Sequence, residues 1–168
     1  MDSIAIVHHD PAMDLETRTA LIAHYKAGYD VVVAALDGVK ADEIDRRPAA
    51  DAWTAREVAH HLADSETNSY IRLRKLLAEE APVIVGYDEV HWTKTLHYDR
   101  PYEASLAVFK AVRASSAELL HLMTEDDWAR SGTHSESGPY STELWLELYA
   151  PHAHDHADQI RRARRGEV

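Results

Sequence analysis

The stretch Leu144 to Ala163, LWLELYAPHAHDHADQIRRA, constrains the fold more than any other in the chain. Wound at about 100° per residue, it gathers Leu144, Trp145, Leu148, Tyr149, Ile160 and Ala163 on one side. His152 and His156 fall in the middle of that side, while His154 points away among Glu147, Asp158 and Arg161. A helix with one apolar face must bury that face against other elements. Two imidazoles one turn apart inside the stripe then need polar partners, because an unpaired buried polar group costs about 1 to 3 kcal/mol. A shared metal ion meets that need, and so do hydrogen bonds to backbone or side chains. The spacing H-x-x-x-H leaves both open.

At 168 residues the chain suits one domain, 1–168, able to bury about 70% of its unfolded surface. It has no cysteine and twelve histidines. Disulfides, thiolate sites and a cysteine nucleophile are thereby excluded, so any metal site is built from imidazole and carboxylate. The start, MDSIAIVHHDPAMD, lacks the basic region and apolar run of a signal peptide, and no stretch approaches a membrane span. These features predict a cytoplasmic protein with no membrane partner. A net charge of −11 also argues against a nucleic-acid partner, which would need Lys and Arg to displace counterions. The one basic cluster, Arg161, Arg162, Arg164 and Arg165, sits where the last turn of a helix favours cations.

Taken in order, residues 1–13 show no clear period and read as a lead segment. Asp10-Pro11 or Asp14 is placed to cap the next segment. There Leu21, Ile22, Tyr25, Tyr29, Val32, Val33 and Leu36 recur at helical spacing, and Gly38 closes this first long helix. His24 has no partner at metal-ligand spacing. Residues 38–52 read as a loop with one helical turn near Glu43. Thr54 and Glu57 then match a capping box, with Trp53 and Val58 placed as a staple. The second helix begins there and runs to about Leu77, with Val58, Leu62, Leu73 and Leu76 on its core face. His61 lies along the edge of that face near Ser65, Asn68 and Arg72, whereas His60 falls toward solvent.

Residues 80–101 carry two prolines, a glycine and no sustained period. A connection of that length often lines a functional site, which makes Tyr87, Asp88, Glu89, His91 and Trp92 pocket candidates. Tyr102 to Met123 returns to a helical stripe. A turn-rich segment with Trp128 as anchor comes next, and Ser141 caps the last helix. Four amphipathic helices with no convincing strand pattern predict an all-α four-helix bundle. Pro151 sits inside the fourth helix, so either a kink just before His152 or a break into two pieces is expected.

The block W-T-A-R-E-V-A-H-H-L-A-D-S-E-x-N-S-Y-I-R from Trp53 to Arg72, then Tyr87-Asp88-Glu89 with Trp92, then H-x-x-x-H before an isoleucine, resembles the DinB/YfiT-like superfamily. The likeness is greatest to its YfiT branch, whose members are described as metal-dependent hydrolases by analogy. The resemblance implies an up-down-down-up four-helix bundle, a three-histidine site for one zinc or nickel ion per chain, and a homodimer. It implies that the second histidine of the H-H-L pair, His61, joins His152 and His156 as a ligand.

Three neutral imidazoles would leave a dication its full charge and an open position, the catalytic pattern. Such an ion lowers the pKa of bound water, polarises a carbonyl or deprotonates a thiol. The resemblance extends to transferases that use low-molecular-weight thiols such as bacillithiol, and in a cysteine-free chain the sulfur would come from the small-molecule cosubstrate. Thiol S-transfer is the favoured expectation. Hydrolysis by a metal-activated hydroxide comes next, and a non-catalytic metal-binding or stress-response module is the reading of another class. No general base is assignable: Asp88 and Glu89 are loop candidates, Ser65 and Asn68 share the His61 face, and Gln159 is an inward polar residue that could support a ligand.

Overall fold

The computed structural model describes residues 13–168. The proposed cap at Asp10-Pro11 and most of the lead segment lie outside them. Asp14 accepts a hydrogen bond from the Thr17 N–H and so starts α1, Leu15–Leu36. A single turn, α2 (Ala41–Ile44), leads to the capping box at Thr54 and Glu57 that opens α3, Ala55–Ala78. The connection after α3 holds β1 (Val83–Ile84) and α4 (Glu89–Thr95). Then come α5 (Glu103–Leu120), α6 (Glu125–Trp128), β2 (Ser131–His134) and β3 (Gly138–Ser141). The last helix, α7 (Thr142–Arg165), is capped by the Ser141 hydroxyl.

Contacts between helix ends fix their directions. Arg164 near the end of α7 donates to the carbonyls of Ala35 and Asp37 at the end of α1, while Arg18 near the start of α1 reaches Glu143 near the start of α7. These two helices are therefore parallel. Phe109, early in α5, shares one core cluster with Ala55 to Ala63, early in α3, so that pair is parallel too. The result is the up-down-down-up bundle. A parallel α3–α5 pair requires a crossover along the length of the bundle, which is what residues 79–102 provide.

Three sequence expectations give way to the structure, and of the two alternatives at Pro151 the break into two pieces is excluded. A small sheet is present, with β1 parallel to β2 and β2 antiparallel to β3; its strands are too short and too rich in Gly, Ser and Thr to show a period of two. His60 is fully buried rather than turned to solvent, because the 97–100 turn and α5 cover that flank: Ser105 Oγ lies 2.7 Å from its Nδ1 and the Arg100 carbonyl 3.0 Å from its Nε2. Leu148 is half exposed, and the buried face of α7 is instead centred on Leu146, Ala150, Ala153 and Ala157. Alanines there let α1 and α3 approach closely, which a stripe drawn through the bulky residues misses. Finally, α7 runs unbroken through Pro151. The carbonyl that loses its partner belongs to Glu147, on the exposed face where water can meet it.

The core falls into two apolar clusters. One joins Val32, Leu36, Leu62, Phe109 and Ile160, and the other joins Tyr25, Leu73, Leu76, Trp128, Trp145 and Leu146. Between them lies a polar layer centred on Arg113, which is 3% exposed. Its guanidinium donates to Glu66 at 2.5 Å and to the Tyr25 carbonyl at 2.6 Å, and stands 3.9 Å from the Tyr25 ring centre. Gly28 makes room for it: a Cβ at that position would stand 2.5 Å from Arg113 Nη2 and 2.8 Å from the Ala153 Cβ.

Helix propensity favours Ala over Gly by about 1 kcal/mol, whereas overpacking a core costs about 1 to 3 kcal/mol. With both a cation and a neighbouring helix in the way, the steric cost prevails. Gly28→Ala is expected to lower the midpoint of chemical denaturation by about 1 to 2 kcal/mol of stability; a stabilised variant would show that Arg113 moves aside freely.

Candidate metal centre

His61 comes from α3, and His152 and His156 come from successive turns of α7. The two helices run antiparallel, so one imidazole enters from one side and two from the other. The imidazole ring centres are 4.7 Å apart for His61 and His156, 4.6 Å for His152 and His156, and 5.7 Å for His61 and His152. One ring nitrogen from each lies within 4.8 Å of the other two.

Hydrogen bonds orient the rings on α7. His152 Nδ1 donates to Glu66 Oε1 at 3.0 Å, and His156 Nδ1 donates to Gln159 Oε1 at 2.7 Å. With Nδ1 engaged in both, Nε2 is the nitrogen left to face a metal. A carboxylate or amide behind a ligating imidazole fixes its tautomer and raises its basicity. Glu66 is itself held by Arg113, so a continuous line runs Arg113, Glu66, His152. The ring of Trp53 stands 4.6 Å from that of His61 and closes its flank.

Burial, reinforced by the neighbouring imidazoles, pushes the His61 pKa down to about 2 and that of His156 to about 4. Both rings are neutral near pH 7, the form in which imidazole binds metals. The donor set fits a divalent ion of intermediate softness: three neutral nitrogens, no thiolate, and ring-orienting partners already in place. His61, His152 and His156 could hold it.

The structure sorts the other candidates. Ser65 is buried, its hydroxyl 3.5 Å from His152 Nε2. Gln159 holds His156. Asn68 spends its amide on the Asp64 carbonyl one turn back in its own helix. Asp88 is exposed and caps α4 by accepting from the His91 N–H, and Glu89 is exposed on the same short helix. Neither acid hydrogen-bonds to the imidazoles, and the Glu89 charge acts on the Tyr87 hydroxyl. His91 is exposed, and Trp92 packs on the Tyr87 ring with centres 4.5 Å apart.

Sequence reasoning passed over Glu66 and Arg113, although both carry a readable signal. Glu66 continues the core stripe of Val58 and Leu62 at four-residue spacing, and Arg113 stands four residues after Phe109. A charge on an apolar stripe at each of two facing helices asks to be paired. Sequence reasoning also left His24 and His154 unlinked, yet their rings stack with centres 3.5 Å apart at the α1–α7 seam.

This geometry sets the acid response of the protein. Unfolded imidazoles take up protons near pH 6.5, but the folded rings of His156 and His61 do so only near about 4 and 2. The unfolded state therefore binds more protons below pH 6.5, and stability of the metal-free protein falls as pH drops from about 6.5 toward 4. His61→Gln should flatten that slope by up to about 1.4 kcal/mol per pH unit, measured by denaturant titration in chelator at graded pH; an unchanged slope would contradict the buried neutral state of His61. Glu66→Gln keeps a hydrogen-bond acceptor but removes the charge behind His152, and should weaken zinc binding about 10- to 100-fold in competition with a chromophoric chelator.

Comparison with known proteins places this arrangement. A protein of Oceanobacillus iheyensis, provisionally named a metal-dependent hydrolase, is 38% identical over 119 residues, which span 71% of this chain and 69% of that one. Proteins of Halalkalibacterium halodurans and Bacillus cereus with the same provisional name are 29% and 32% identical, and the matched stretches span 66% and 62% of their lengths. Among solved structures, YfiT from Bacillus subtilis superposes with a TM-score of 0.86 at 28% identity, covering 94% of this chain and 91% of YfiT. It is described, provisionally, as a metal-dependent hydrolase with an unusual four-helix bundle topology. The family model for the DinB superfamily matches residues 24–160, and with the bundle and its imidazole trio already in view, the chain belongs to that superfamily.

Proposed function

We propose that this protein is a metal-dependent enzyme whose His61, His152 and His156 hold one divalent ion, zinc or nickel, and that it activates a low-molecular-weight thiol for transfer to an electrophile. When bound, such an ion would lower the pKa of a coordinated thiol and stabilise the thiolate. The sulfur then forms a bond to an electrophilic carbon, the leaving group departs with the bonding electron pair, and the thiol proton passes to solvent.

The observation that carries this reading is the character of the walls. Asp88 and Glu89 are exposed on α4, and Glu66 is committed to Arg113 and His152. What borders the imidazoles is hydroxyl: Ser65, Tyr87 and Tyr149. Burial raises the pKa of both phenols above the usual tyrosine value, so they stay protonated and donate hydrogen bonds rather than accept protons. Thiol activation needs a lowered thiol pKa and no general base. Hydrolysis gains from a positioned acid or base that returns a proton to the leaving group. The provisional names of the relatives favour hydrolysis as the second reading, with the same three imidazoles holding the ion and the phenols steadying the polarised carbonyl.

Elemental analysis of the purified protein should give close to one zinc or nickel per chain, and His152→Ala should lose most of it. Chelation should abolish conjugation of a chromogenic electrophile such as 1-chloro-2,4-dinitrobenzene with a cellular thiol, and metal should restore it. Cleavage of nitrophenyl esters without any thiol, lost and restored in the same way, would instead establish the hydrolase. Equal metal content in the wild type and the variant would overturn both.

A further inference from the structure

Arg72 lies on the same face of α3 as His61, Ser65 and Ser69, within an arc of about 80° at helical spacing. Its Cα stands about 16 Å from that of His61, and long helical side chains lean toward the N-terminus, here toward the imidazoles. The guanidinium is half-buried and donates to Tyr149 Oη at 3.0 Å and to the Val85 carbonyl at 3.3 Å. Tyr149 in turn packs its ring 5.5 Å from that of His152. A path of polar groups thus leads from the centre to the cation.

Among the described residues, Arg72 has no carboxylate at ion-pair distance. Arg113, Arg18 and Arg164 are matched by Glu66, by Glu125 and Glu143, and by Glu43, while the half-buried Arg74 and Arg130 spend their donors on carbonyls and serine hydroxyls away from the imidazoles. Beside Arg72, two buried hydroxyls lack partners. Tyr140 Oη belongs to a residue only 3% exposed, and Ser69 Oγ to one with no exposure at all. Both approach the Arg72–Tyr149 pair, Tyr140 reaching Arg72 and Tyr149 and Ser69 reaching Tyr149, in contacts that stop short of well-formed hydrogen bonds. A half-buried cation with no carboxylate at ion-pair distance, beside hydroxyls whose contacts with it are loose, has donors left over for an anion.

We propose that Arg72, with the hydroxyls of Tyr140, Tyr149 and Ser69, is a subsite that holds the carboxylate of the substrate while its reacting end sits at the three-imidazole centre. One guanidinium balances one negative charge, which suits a carboxylate over a phosphate dianion, and its planar fork matches two carboxylate oxygens. The substrate class is therefore a small molecule bearing a reactive group at one end and a carboxylate at the other. This rests on the metal-centre reading above for the reacting end, but not for the anion.

The test is calorimetric titration of the zinc-loaded protein with straight-chain ω-mercapto carboxylates of graded length and with the matching ω-mercapto alcohols. The alcohols read thiol binding at the imidazoles; the excess affinity of the acids reads the subsite. At the best length the acid should bind at least about tenfold tighter than its alcohol. Arg72→Met should bring that ratio close to one while leaving zinc content and alcohol affinity unchanged. Arg72→Lys should keep part of the preference and Tyr140→Phe should reduce it severalfold. Equal affinity of acid and alcohol at every length, or a preference that survives Arg72→Met, overturns the subsite. Alcohols that fail to bind count against thiol activation alone; hexanoate and hexanol then take the place of the two series, and a carboxylate preference lost in Arg72→Met upholds the subsite while its absence overturns it.

Discussion

The ion pair between Arg113 and Glu66 is the constraint on which the rest of this bundle depends. Both side chains are almost wholly out of water. Desolvating two charges costs several kcal/mol each, which only close geometry and full hydrogen bonding offset. Arg113 is fully engaged by the carbonyls of Tyr25 and Tyr149 and the carboxylate, and so ties α1, α3, α5 and α7 at one level, whereas Glu66 makes both its contacts through Oε1 and leaves Oε2 without a partner. Glu66 passes the arrangement on to His152. The same pair that divides the core into two apolar halves also sets the orientation of a candidate ligand.

That coupling explains why the imidazoles sit at the middle of the helices and not at an end. A bundle of this length has apolar packing to spare above and below, and the polar layer occupies the level where the helices are held most firmly. The candidate ligands thus stand on helices, with the ring-orienting partners Glu66 and Gln159 in hydrogen-bond contact.

Much of the fold was legible in the sequence because its signals are local. The capping box at Thr54, the Asp14 and Ser141 caps and the stripes of α1, α3 and α5 each act within a few residues. The positions of His152 and His156 in an apolar stripe could be read the same way. Pairing them with His61 needed more than periodicity, since the wheel set His61 only at an edge; the family resemblance supplied the choice, and the fold brings the three rings together. What escaped depends on partners distant in sequence. His60 looks solvent-facing until the 97–100 turn covers it, and Arg72 looks like an ordinary surface arginine until the hairpin brings Tyr140 beside it. The small sheet escaped for a different reason: strands this short carry no period to detect.

The parallel α3–α5 pair has a consequence for how such a protein can diversify. The crossover strap travels the length of the bundle, anchored in the core by Ile84 and Tyr98, and its Tyr87 hydroxyl reaches Ser65 beside His152. Exposed positions of the strap such as Val83, Val85 and Val90 can change with no direct contact to the cation-carboxylate rivet or the nitrogen trio.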